Sequence, residues 1–181
     1  NTDFVTSIDD NACVHLLRLF NEPEGKKYLV EKGVPKEIVE QLNLLGISSV
    51  ANLLSAIKFA KYNELTGEDM VMTVFTDSVD MYTTRLAEYN EEFGPFTRDD
   101  ASYAFGRYLM GENTSNMLEL SYYDRKRIHN LKYYTWIEQQ GKTSEELNAQ
   151  WYDRNYWTEI AAQKDEIDAL IKSFNEQVGL L

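Results

Sequence analysis

The residues able to carry chemistry are few and widely spread. His15 and His129 are the only histidines and Cys13 the only cysteine. They form no HExxH or other metal-ligand spacing, and one thiol with two distant imidazoles makes no tetrahedral zinc site unaided. No nucleophile elbow of the GxSxG kind occurs, and neither GxGxxG nor GxxxxGK[ST] is present to cradle a phosphate. The histidines and the cysteine are therefore expected to be structural. Among the carboxylates, Asp77 and Asp80 stand at the end of an apolar run, where open α/β sheets bind ligands. The plainer expectation for Asp77 is a cap on the helix that follows. The most informative stretch is Gly46-Ile47-Ser48-Ser49. Gly46 permits a tight turn, and two hydroxyls arrive at the start of a buried helix. One serine can cap that helix. The other is then free to exchange a hydrogen bond with a neutral ring nitrogen, at a helix end that favours electron-rich partners. A double serine cap without a ligand is the alternative.

The elements that must position these residues follow from periodicity. Asp3 to Ile8 has strand character, and Asp9 or Asp10 can cap a helix carrying Ala12, Leu16, Leu19 and Phe20. Pro23 and Gly25 interrupt it; short helices are expected over 26–32 and 36–42. From Ser49 onward a helix is apolar on most faces and so largely buried. The unbroken run Met70 to Thr76 predicts a central strand covered on both sides, Asp77-Ser78 the next cap, and 79–93 an amphipathic helix. Strands joined by helical crossovers imply a parallel α/β sheet. Gly94-Pro95 marks the expected boundary between an α/β part, 1–95, and an all-helical extension, 96–181. In the extension, helices are predicted to Met110, from Leu118 to Gln140, from the Thr143 capping box to Trp151, and over 156–177.

Composition narrows the function classes. The 181 residues carry 18 Lys and Arg against 30 Asp and Glu, a net charge of −12, which argues against nucleic-acid binding and against an anionic membrane surface. No apolar run is long enough to span a bilayer. A single cysteine fits a reducing, cytoplasmic compartment. A strand beginning at residue 3 needs neighbours to pair with, so the chain is read as a fragment of a longer protein, a choice of numbering being the plainer alternative. Eight of the 12 tyrosines and all three tryptophans lie after residue 95, the composition of interfaces that need both packing and hydrogen bonds. The basic cluster Arg125-Lys126-Arg127 with Lys132 is expected to be a solvated helix face, a carboxylate or phosphate clamp being its sharper alternative.

The order strand, acidic helix start, Gly46-Ile47-Ser48-Ser49 on a buried helix, apolar run Val71 to Thr76, polar turn into a helix resembles the C-terminal part of the fold-type II pyridoxal-phosphate (PLP) enzymes. These comprise the cysteine synthase, threonine synthase and tryptophan synthase β superfamily. The stretch Tyr133 to Thr143 is similar to a longer, cysteine-synthase-like branch. The resemblance implies that Ser48 hydrogen-bonds the pyridine nitrogen of PLP. It implies that Ser49 and Gly46 shape the helix start beside it, and that Thr76-Asp77-Ser78 is the turn at the cofactor ring. Val50 stands where the family has a glycine, and Val79-Asp80-Met81 where it has Gly-Glu-Arg. The implied parent is a lyase or synthase performing β- or γ-elimination or replacement on an amino acid, as a homo-oligomer. Its Schiff-base lysine and Gly-rich phosphate loop would lie in a preceding N-terminal half. Neither is recognisable here, so no catalytic residue is assigned to this chain and most of the cofactor's contacts would come from that half. The competing class is a non-enzymatic, acidic, helical interaction domain.

Overall fold

The computed structural model describes residues 2–180 and is helix-rich. It divides into two compact units: residues 4–119, and residues 120–181 together with 1–3.

In the first unit, α1 (Asp10–Asn21) starts where the Asp9 carboxylate accepts from the Asn11 N–H at 2.9 Å. Its apolar residues recur at helical spacing, and Leu16, Leu17 and Leu19 are fully buried. Pro23 opens α2 (Pro23–Glu31), a position where a missing N–H costs nothing. There Gly25 lies against the backbone of Leu19, leaving no room for a side chain. After α3 (Lys36–Val39) and a 3-10 turn, α4 (Ile47–Tyr62) buries Ser49, Val50 and Leu54. A second 3-10 turn (Val79–Tyr82) leads to α5 (Thr83–Phe93). The Thr97/Asp100 capping box opens α6 (Arg98–Ala104), which continues as a π-helical turn to Met110. α1 is the hub, packing on α2, α4 and α6. Each fully buried leucine there contributes about 2 kcal/mol of hydrophobic stabilisation.

The expected parallel sheet is not found among the described residues. β1 (Phe4–Thr6) pairs antiparallel with β2 (Met117–Glu119), Phe4 opposite Glu119. The run Met70 to Thr76 is neither strand nor buried: Met70 and Met72 are 85% and 87% exposed. It is attached to α4 by the Asn52 amide, which donates to the Val74 carbonyl at 2.8 Å. Apolar character makes a run suitable for a sheet interior, but a strand exists only where a neighbour supplies the ladder.

The division between units falls after Glu119 rather than at Gly94-Pro95. Arg18, 4% exposed, is the reason. Its guanidinium donates to Asn90 Oδ1 at 2.7 Å and to the Gly94 carbonyl at 2.9 Å, and lies 5.0 Å from the centre of the Phe96 ring. The Gly-Pro turn is thereby stitched into the core instead of separating it from α6.

The second unit holds α7 (Tyr122–Asn130), a π-helical turn (Tyr133–Ile137), α8 (Ser144–Tyr152), α9 (Tyr156–Ala162) and α10 (Lys164–Val178). The helix expected from Leu118 starts later, because Leu118 is in β2 and Ser121 with Asp124 forms a capping box. Leu120, His129, Leu147 and Gln150 are buried, whereas α10 exposes its apolar stripe of Ile167, Leu170, Ile171, Phe174 and Val178. Among the described residues no helix is long and apolar enough to cross a membrane.

Candidate functional site

The N-terminus of α4 is where chemistry-bearing side chains converge. Gly46 precedes the first turn, so the N–H groups of Ser48 and Ser49 have no partner within the helix. Both go to one carboxylate: Ser48 N–H donates to Asp77 Oδ2 at 3.1 Å and Ser49 N–H to Oδ1 at 2.9 Å. The Ser49 hydroxyl, fully buried, donates to Asp77 Oδ1 at 2.6 Å and lies 2.9 Å from the Asp77 carbonyl. The Tyr82 hydroxyl donates to Oδ2 at 2.6 Å, and Gly46 N–H donates to the Asp77 carbonyl at 3.0 Å. A side chain at position 46 would collide with the carboxylate and the Tyr82 ring, each about 2.6 Å from an added Cβ. Glycine here is a requirement of close approach.

Burial works to raise the Asp77 pKa. The hydroxyls of Ser49 and Tyr82 and the two backbone N–H groups outweigh it and hold the carboxyl at about 2. The same bond pushes the Tyr82 hydroxyl above its ordinary value. Asp77 is thus ionised at neutral pH beside a helix N-terminus, a favourable pairing of charge and dipole. It caps α4, 28 residues earlier in the chain, and not the helix after it. The Ser78 hydroxyl donates to Asp80 Oδ2 at 3.3 Å.

The structure therefore joins Gly46, Ser48, Ser49 and Asp77 and separates the two serines by environment. Ser49 is spent on Asp77, while Ser48 is exposed. Tyr82 is the member that sequence reasoning missed. Its position five residues after Asp77 in a polar turn carried no recognisable spacing.

The remaining candidates are held by burial or by partners of their own, although His15 Nδ1 is buried without a hydrogen-bond partner. Burial, then the negative charges of Asp10, Asp9 and Glu112, push the Cys13 thiol up to about 11, so it is unreactive at neutral pH. His15 stacks on Tyr108 at 5.0 Å; burial and then the charge of Arg18 lower its pKa. His129 donates from Nε2 to the Leu147 carbonyl at 3.0 Å, and burial lowers its pKa as well. Lys58, a buried lysine on α4, pairs with Glu112 at 3.1 Å and donates to the Ser115 carbonyl at 2.7 Å. In the basic cluster, Arg125 pairs with Asp3 at 2.9 Å and Arg127 with Asp124 at 3.5 Å, while Lys126 lies over the Trp151 and Tyr152 rings. Among the described residues no group of three His, Cys, Asp or Glu could hold a metal ion.

In comparisons with known proteins, no family model, curated protein or solved structure matches this chain.

Proposed function

We propose that the chain is the C-terminal segment, or a split subunit, of a fold-type II PLP enzyme acting on amino acids by β- or γ-elimination or replacement. The observation that carries this reading is the division of labour at the α4 N-terminus. Asp77 fixes Ser49 and the helix start, and Ser48 remains an exposed neutral hydroxyl on the same turn. A ring nitrogen needs such a partner. When bound, PLP supplies the electron sink for chemistry at the amino acid's carbon chain. Ser48 would meet the pyridine nitrogen and, being neutral, leave it unprotonated. Asp77, its acceptor capacity filled by four donors, would keep that turn rigid without itself protonating the ring.

The rest of the cofactor would be held by an N-terminal half. Lys58 is committed to Glu112 and the Ser115 carbonyl and is unsuited to a Schiff base. The exposed apolar run Met70 to Thr76 supports the same reading, since it has the composition of a central strand and would pair with strands of that half. A cytoplasmic homo-oligomer follows from the family reading. The alternative, an acidic helical interaction module, draws on the exposed apolar stripe of α10.

The test is reconstitution. The coding sequence upstream is expected to carry a lysine followed by a Gly-rich loop, and co-expression with it should give a PLP-binding enzyme. Ser48→Ala should then weaken PLP binding by roughly two- to tenfold, the loss of one hydrogen bond, and Ser48→Asp should shift the cofactor's absorption band. The chain alone, treated with PLP and borohydride, should show no single stoichiometric lysine adduct. An upstream sequence lacking those features, or Ser48 variants with unchanged PLP affinity and spectrum, sinks the assignment.

A further inference from the structure

A cavity lies wholly within the unit of residues 120–181 and 1–3, and it is independent of the PLP reading. Its volume is about 630 Å³, within the range of small-molecule sites. At its wall stands Gln150, only 5% exposed. The Gln150 side-chain oxygen accepts from Lys132 Nζ at 3.0 Å, which fixes the orientation of the amide. Its Nε2 is buried and has no hydrogen-bond partner. A buried amide donor left unpaired is costly, so this group calls for an acceptor, which it would meet by a small shift of the side chain towards the cavity.

The other lining groups point to the same class of ligand. Lys132 and Arg154 supply further donors, and Arg154 enters no ion pair among the described residues. The polar edges of the aromatic walls are already used: Trp157 Nε1 donates to the Gln150 carbonyl at 3.2 Å and Trp151 Nε1 to the Tyr122 hydroxyl at 3.4 Å. What the rings leave for a ligand is their apolar surface. Of the two carboxylates at the cavity, Asp3 is paired with Arg125, and Asp153 accepts from the Asn155 N–H at 2.9 Å. The cavity therefore offers the Arg154 guanidinium, the Gln150 amide donor and the remaining protons of Lys132 Nζ beside flat apolar walls.

We infer that this cavity is a binding site for a small planar organic carboxylate, its carboxylate oxygens taken by Gln150 Nε2, Lys132 and Arg154 and its ring by Trp151 and Trp157. Binding of benzoate to the full chain is measured by calorimetry and by tryptophan fluorescence, with benzamide, acetate and inorganic phosphate alongside. Benzoate should saturate the site, and benzamide and acetate should each bind at least about tenfold more weakly, lacking the charge or the ring. Arg154→Gln and Lys132→Gln should each lower benzoate affinity by about tenfold, and Gln150→Met should do the same with melting temperature retained. Equal affinity for benzoate and benzamide overturns the proposal. So does tighter binding of phosphate, unaltered affinity in all three variants, or no saturation by benzoate.

Discussion

The two units spend their apolar residues in opposite ways. In residues 4–119, α1 holds Leu16, Leu17 and Leu19 at 0% exposure, and Val50 and Leu54 of α4 are equally buried. In residues 120–181, α10 carries an equally regular apolar stripe, yet Leu170 and Phe174 are 64% and 62% exposed. Periodicity alone does not stabilise a helix; a facing surface does. The first unit is held by burial, the second by local devices: the Ser121/Asp124 and Thr143 caps, i,i+3 and i,i+4 ion pairs, and cation–π contacts of Lys126 and Lys132.

That contrast can be broken by substitution. Leu16→Ala should destabilise the protein by about 3–4 kcal/mol in denaturant melts, the cost of a cavity in a closely packed core. A loss under about 1 kcal/mol would mean that α1 is not the hub. Lys58→Met should cost about 3 kcal/mol, because it strands the nearly buried Glu112 carboxylate; restoring most of that loss in the double variant with Glu112→Leu would identify the orphaned charge as the cause. Asp77→Ala removes the cap of α4 and frees Ser49 and Tyr82, and should cost about 2 kcal/mol. The same carboxylate has a pH signature. Its folded-state pKa of about 2 lies below the ordinary carboxylate value, so its contribution is present at neutral pH and is lost as pH falls through about 2. His15 and His129 act earlier on the acid side. Their pKa values are lowered in the folded state, so the unfolded chain binds protons first and stability declines as pH drops below about 6.5. Replacing both by Gln should flatten the stability curve between neutrality and about pH 5. Smallest of all, Leu170→Ser on α10 should change stability by no more than about 0.5 kcal/mol; a larger loss would mean that the stripe is covered in solution.

Much of the first unit was legible from spacing and caps. Asp9 before an apolar period and Thr97 three residues before Asp100 each found the role their chemistry predicts, whereas Pro23, expected to interrupt a helix, opens α2 three residues before the expected start. Gly46 and the two serines were legible as a helix start, because small and hydroxyl residues before a buried run have few other uses. The capping partner of that helix was not legible. Asp77 was expected to act locally, and a contact across 28 residues leaves no mark in spacing. Met70 to Thr76 misled for the opposite reason. Its pattern speaks of what the run is suited to bury, while its conformation depends on a partner strand. Gly94-Pro95 misled because turn residues announce a change of direction, and Arg18 keeps the turned chain on the same core.

The Asp77 clasp also has a consequence for chain entropy. The segment between the end of α4 at Tyr62 and the clasp at Asp77 is closed at both ends. Its exposed apolar run is therefore a tethered loop, with the closure cost met when α4 is capped. A strand arriving beside Met70 to Thr76 would find a segment whose conformational search is already restricted, and would lose less entropy in ordering it than in ordering a free tail. Cutting the clasp with Asp77→Ala would release that restriction. It should speed amide exchange at Ser48 and Ser49 and in the run together, as one cooperative opening.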